Sequence, residues 1–224
     1  ILTSQTDKGK KMNIFVLNKN AILAARDHCD KHVVKMVLES AQMLSTAHWL
    51  GWQRMLRPDT TGFKRGQLQG WLRENVPTSL QPAWKMTHVS HPCTQWAAHS
   101  WGNYMWLSQH GMELCREYEN RYGREHKVHN VHRWLTRVVP PSFEGSSIVV
   151  TDTTPFMAVM PEKYKAAGDP VQSYRNYYHG EKAGFARWKN GNTPSWWDLA
   201  SYLIPGGHHA DEDATETEGS TQPG

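Results

Sequence analysis

Between Asn20 and Leu50 the chain holds neither proline nor glycine, and its apolar residues recur at helical rather than alternating spacing. The stretch predicts a long helix, with Asp27 as a candidate break. Its distribution of polarity constrains the chain more than any other feature. At about 100° per residue, Lys31, Gln42, Lys35, His28, Thr46, Glu39 and His32 share one narrow arc. Met43, Met36, Cys29, Val33, Leu44, Val37, Ala41, Val34 and Leu38 fill most of the remaining circle. Asp30, Ser40, Ser45 and His48 are the exceptions. An ordinary surface helix shows the reverse proportions, an apolar stripe on a broad polar back. This helix is therefore expected at the centre of the fold, its polar strip facing either limited solvent or an internal cleft. In a cleft, Glu39 beside Lys35 and His32 has the makings of acid–base or electrostatic chemistry.

The length, 224 residues, suits one domain with its own core. The expected architecture is a mainly α, compact single-domain helical protein with long loops. A second long helix is predicted from Ser90 as N-cap, with Pro92 in its first turn, through Tyr122 to a stop at Gly123. A third should start at Asp169-Pro170 and end near His179-Gly180. MNIFVLN, from Met12, reads as a short strand-like run, and Val138–Asp152 as either a strand or a covered loop. Residues 1–11 lack periodicity and read as a disordered extension, with Met12 a plausible true start. Residues 205–224 are rich in Gly, Thr and acids and are expected to be a disordered tail. The body between them, 12–204, is expected to form the single helical domain.

The charge is divided along the chain. The net +4 sets 25 Lys and Arg against 21 acids, of which five (Asp211, Glu212, Asp213, Glu216, Glu218) lie in the tail. Residues 1–204 thus hold all 25 cations against 16 acids, a net of +9. A basic body favours a polyanionic partner, and Arg116, Arg121, Arg124, Lys127, Arg133 and Arg137 are candidate phosphate contacts. Eleven tryptophans offer stacking surfaces for a base as well as core volume. Three cysteines in no CxxC spacing argue against a disulfide framework and for a reducing compartment. No apolar run reaches membrane-spanning length, so the expectation is a cytoplasmic protein with no membrane partner.

His28 and His32 stand at i, i+4, a spacing that lets two imidazoles share one ion. The HExxH arrangement is absent, however, and a third ligand at Glu39 would sit two turns away. No metal and no cofactor are expected.

Asp30-Lys31-His32 followed by Glu39 resembles the Asp-x-His-x6-Glu pattern on the first helix of the phage endonuclease V-type pyrimidine-dimer DNA glycosylases. His91 leads into an aromatic helix ending in Arg121-Tyr122-Gly123. Ser173-Tyr174-Arg175-Asn176-Tyr177-Tyr178-His179-Gly180-Glu181-Lys182 is similar to the family's aromatic, basic closing segment. The strings MNIFVLN and CDKHVVKM are also similar to those of a group of uncharacterised phage proteins, whose setting would be the cytoplasm of a bacterial host. The resemblance implies an all-α enzyme of DNA repair that binds duplex DNA and flips out a nucleotide. It implies that Glu39 stabilises charge on the sugar, that His32 helps shape the site, and that Arg175, Tyr177, Tyr178 and Lys182 lie against DNA. Asn13, His28 and His91 would line the site. Two departures stand out. The family's nucleophile is the freed amine of a small residue after the initiator Met, whereas Asn13 follows Met12 here, and Leu38 replaces the basic residue before the glutamate. Lys35 or Lys31 on the same strip is the alternative amine.

The leading expectation is a DNA glycosylase, with or without a lyase step, acting on a damaged or modified pyrimidine in double-stranded DNA. The alternatives are a transferase acting on a modified thymine of phage DNA, a non-catalytic nucleic-acid-binding module, and a metal-dependent hydrolase using His28 and His32.

Overall fold

A computed structural model describes residues 12–64, 66–141, 153–191 and 193–197. Among these residues seven α-helices carry the architecture: α1 (Ala21–Arg26), α2 (Asp30–Leu56), α3 (Gln67–Asn75), α4 (Pro92–His99), α5 (Trp101–Tyr122), α6 (His129–Arg137) and α7 (Pro170–Glu181). No β-strand occurs among the described residues, and the mainly helical expectation holds. Among them, too, no helix is long and apolar enough to cross a membrane. The extension 1–11, the tail 205–224 and most of the Val138–Asp152 strand candidate lie outside the described residues.

The break at Asp27 is real. Asn20 caps α1 by accepting from the Ile22 and Leu23 amides, and α2 restarts after the extended Cys29. As its wheel requires, α2 is central and packs against α3, α4, α5 and α6. From Met43 to Trp52 every residue is buried, the mark of a helix enclosed on all sides.

The second predicted helix is two. Ser100 adopts an extended conformation (φ −142°, ψ 160°) and caps α5 by accepting from the Asn103 amide. His91, not Ser90, caps α4 through its ring, which accepts from the Cys93 amide. The stop at Gly123 is as read, with φ 67°, a left-handed value that glycine adopts at low cost. Gly111 serves a different need. A Cβ there would lie 2.3 Å from Cε1 of His132, so its absence lets α6 seat against α5. Asp169 caps α7, as its sequence indicated, by accepting from the Gln172 amide.

The strand-like run is not a strand. All six residues from Met12 to Leu17 are buried, so the segment threads the core with no solvent face and, among the described residues, no partner strand. Its backbone finds side-chain partners instead. The Asn13 carboxamide oxygen accepts from the Ile14 and Phe15 amides, and the Leu17 carbonyl accepts from Arg175 Nε at 3.1 Å. Phe15 sits at φ 51°, a conformation that costs a non-glycine residue about 1 kcal/mol or more. The strain folds the chain around the Asn13 side chain and presents the Asn13 amide to α2.

Candidate active site around Glu39

Glu39 sits on the inner edge of the α2 polar strip, 6 % exposed. Its carboxylate is met from two sides. One oxygen accepts from the Asn13 backbone N–H at 3.2 Å, and the other lies 2.9 Å from Nζ of Lys35, one helical turn away. The Lys35 side chain is 43 % exposed, so the pair joins a buried carboxylate to the solvent boundary. Asn13 is held in turn by its Nδ2, which donates to the Val159 carbonyl at 2.8 Å. Val159 belongs to a segment strapped across the fold. Thr154 exchanges two 2.8 Å hydrogen bonds with Asn103, and the Tyr174 hydroxyl donates to the Met157 carbonyl. Cys93, fully buried at the start of α4, has its thiol pushed up to about 12, first by burial and further by the Glu39 charge.

His32 lies one turn before Lys35 on the interior side. Its ring stacks on Phe15 with centroids 4.3 Å apart, and its Nδ1 lies 2.5 Å from the Tyr178 hydroxyl. Burial is the largest cause that lowers its pKa to about 2, and the charges of Lys182 and Lys35 add to it. The ring is therefore neutral at physiological pH, and it holds the Phe15 turn rather than carrying a charge.

The strip is legible but more deeply set than an open cleft wall. Lys31 and Lys35 reach solvent, and Glu39, His32 and His28 do not. Val34 and Leu38, assigned to the apolar arc, are 42 % and 36 % exposed and stand on the solvent edge beside the lysines. His28 is fully buried. Its Nδ1 faces the Ala24 carbonyl at 2.6 Å and its ring packs edge-on to His110, so it is a core residue rather than a site-lining one. His91 is partly buried at the head of α4, with the Met12 backbone within reach of its ring, so it stands beside the Asn13 turn. Among the described residues no group of three or more His, Cys, Asp or Glu is placed to hold a metal.

Two residues expected at DNA are interior. The Arg121 side chain is 0 % exposed and forms ion pairs with Glu117 at 2.7 Å and Asp30 at 3.2 Å. It also donates to the His28 and Arg26 carbonyls, tying α5 to the α1–α2 junction. Tyr178 is fully buried behind His32. Charge and aromatic character did not distinguish a clamp inside the core from a contact on the surface. Arg116 and Arg124 are exposed, although Arg116 is paired with Glu113 at 2.9 Å. Arg175, Tyr177 and Lys182 are partly exposed on α7 and its C-cap. The Lys182 ammonium lies 4.4 Å from the Tyr177 ring centroid, and the Arg175 guanidinium 5.2 Å from that of Trp196.

That Asn13, a candidate lining residue, holds Glu39 through its main-chain N–H, and that Val159 and Cys93 surround the pair, had no counterpart in the sequence reading. These contacts span up to 146 residues of chain, and no local spacing encodes them. Compared with known proteins, the chain matches no family model, no curated protein and no solved structure.

Proposed function

We propose that the protein is a DNA glycosylase that acts on a damaged or modified pyrimidine displaced from duplex DNA. The observation that carries this reading is the Glu39 carboxylate, largely shielded from water, with Lys35 Nζ at 2.9 Å and the Asn13 nitrogen at 3.2 Å. An N-glycosidic bond breaks through a sugar that gains positive charge. A buried carboxylate beside that sugar stabilises it more strongly than it would in water. The same carboxylate can take a proton from the adjacent ammonium and leave an amine as nucleophile.

Lys35 is the amine in this scheme. With Met12 attached, the Asn13 nitrogen is a peptide amide whose lone pair is delocalised, so it orients Glu39 and does not attack. The Lys35 amine bonds to the sugar C1′ as the C1′–base bond breaks, and the departing pair leaves with the base, which takes up a proton. Opening of the sugar ring then gives an iminium joining Lys35 to C1′. The half-exposed basic and aromatic residues of α7 and its C-cap, Arg175, Tyr177 and Lys182, supply a surface for the duplex, with Arg116 and Arg124 on α5 and just beyond it.

The test is a labelled duplex carrying one cyclobutane pyrimidine dimer, followed by alkali to reveal abasic sites. The wild-type protein should cleave it, and Glu39→Gln should lose at least about a hundredfold in rate. A wild-type protein that binds this duplex and the phage-modified thymine duplexes yet leaves every sugar–base bond intact would remove the proposal. A mass change on the base under those conditions would favour group transfer.

A further inference from the structure

One turn beyond Lys35 on the solvent edge of α2, Leu38 and Gln42 form one wall of an open groove of about 450 Å3, within the size range of small-ligand sites. Its other lining residues are Arg73 from α3 and Ala83, Trp84, Lys85 and Thr87 from the segment leading to α4. The far wall is pinned. The Trp84 carbonyl accepts from Nε1 of the fully buried Trp49 at 2.7 Å. Thr87 exchanges two 3.0 Å hydrogen bonds with the Thr46 hydroxyl, and the Met86 amide donates to Gln69 at 2.8 Å. A segment with no regular secondary structure is thus fixed against α2 and α3, which leaves the Trp84 side chain only half-buried beside Leu38.

The chemistry of the lining is one-sided. Among the described residues, Arg73 and Lys85 are its only charged lining residues, both exposed, and no carboxylate borders it. Neither cation is in an ion pair among the described residues, and the Gln42 carboxamide has no hydrogen-bond partner there. By contrast, another open groove, lined by Arg26, Asp27 and Glu117 among others, carries two carboxylates. An apolar floor with an aromatic face, two exposed cations and a carboxamide together match one class of ligand: a planar heterocycle bearing a phosphate. Stacking favours the ring, the cations favour the phosphate, and the carboxamide can both donate to and accept from the ring edge.

We propose that this groove is a nucleotide-binding site, with the base against Trp84 and Leu38 and its phosphate between Arg73 and Lys85. The nucleotide is either free or a unit of a single strand. The assignment stands on the groove itself and does not require Glu39 to break a bond.

The experiment measures binding to the full chain by isothermal titration calorimetry. The probes are thymidine 5′-monophosphate, deoxyadenosine 5′-monophosphate and a six-nucleotide oligothymidylate, with thymidine and inorganic phosphate as controls. At least one mononucleotide or the oligonucleotide should bind more tightly than both controls. Arg73→Glu and Lys85→Glu, two exposed changes that leave the core untouched, should each weaken that binding about tenfold or more. Trp84→Phe should retain most of it, and Glu39→Gln all of it. Tighter binding of the mononucleotide identifies a free nucleotide as the ligand, and tighter binding of the oligonucleotide identifies a strand. No binding by the wild-type protein, phosphate binding as well as the nucleotides, or indifference to both charge reversals would each overturn the assignment. Because Glu39→Gln abolishes the proposed cleavage but spares this site, failure of one proposal leaves the other standing.

Discussion

Lowering the pH from 7 to 5 should cost this protein a large part of its stability, and the reason is a set of histidines buried in neutral form. His28, His48 and His132 are each fully buried, and burial is the first cause that pulls each pKa down to about 4. In the unfolded chain each returns to about 6.5. Between those values the unfolded state binds protons that the folded state refuses, so stability falls as the pH falls through that window. Each site contributes about 1.4 kcal/mol per pH unit, or about 2 kcal/mol between pH 6.5 and 5. Together the three remove about 6 kcal/mol, against the roughly 5–15 kcal/mol by which domains are usually stable. His110 and His32, both depressed by burial, act in the same direction. Urea unfolding followed by circular dichroism at the two pH values reads the loss directly. With a slope of about 1–3 kcal/mol per molar urea, the midpoint should drop by about 2 M or more. In His132→Gln the carboxamide can still donate to the Val37 carbonyl, which lies 2.8 Å from Nε2 in the native protein. That variant should recover about 2 kcal/mol of the pH effect. A midpoint at pH 5 within about 0.5 M of that at pH 7 would refute the reasoning, because these rings would then bind protons equally well in the folded and unfolded chain.

Three further outcomes follow from the packing. Arg121→Ala should lower stability by about 3–5 kcal/mol, since it strands Glu117 beside Asp30 without their cation; a loss under about 1 kcal/mol in chemical denaturation would place Arg121 at the surface after all. Gly111→Ala should destabilise by about 1–3 kcal/mol, because the added methyl meets the His132 ring at 2.3 Å, and an unchanged melting temperature would contradict that close approach. Arg175→Ala and Lys182→Ala should each weaken duplex binding and flatten its salt dependence by up to about one counterion; an unaltered salt slope in both would take α7 out of the DNA surface.

The parts of this molecule that announced themselves in sequence are those governed by local chemistry. Asp169-Pro170 and Gly123 mark helix ends because a cap and a left-handed residue act within one turn. The polar strip of α2 was legible because helical geometry alone puts Glu39 and Lys35 on one side. What failed were one helix break and the depth of particular side chains. Ser100 interrupts a run of helical spacing that gives no sign of it, and only the cap it provides to Asn103 reveals the break. Arg121 and Tyr178 have side chains suited to DNA, but burial depends on which helices pack over them. The approach of Asn13 to Glu39 depends on a strained turn at Phe15 and a carbonyl at Val159, and it emerges only when distant segments meet.

The central claim is that Lys35, next to Glu39, is the amine that opens the sugar. Its most direct test is borohydride reduction during incubation with the dimer-containing duplex, followed by proteolysis and mass mapping of any DNA-linked peptide. The account predicts a covalent adduct on Lys35, absent in Lys35→Met and at least about a hundredfold slower to form in Glu39→Gln. Cleavage of the glycosidic bond with no adduct, or an adduct on another residue that persists in Lys35→Met, would contradict it.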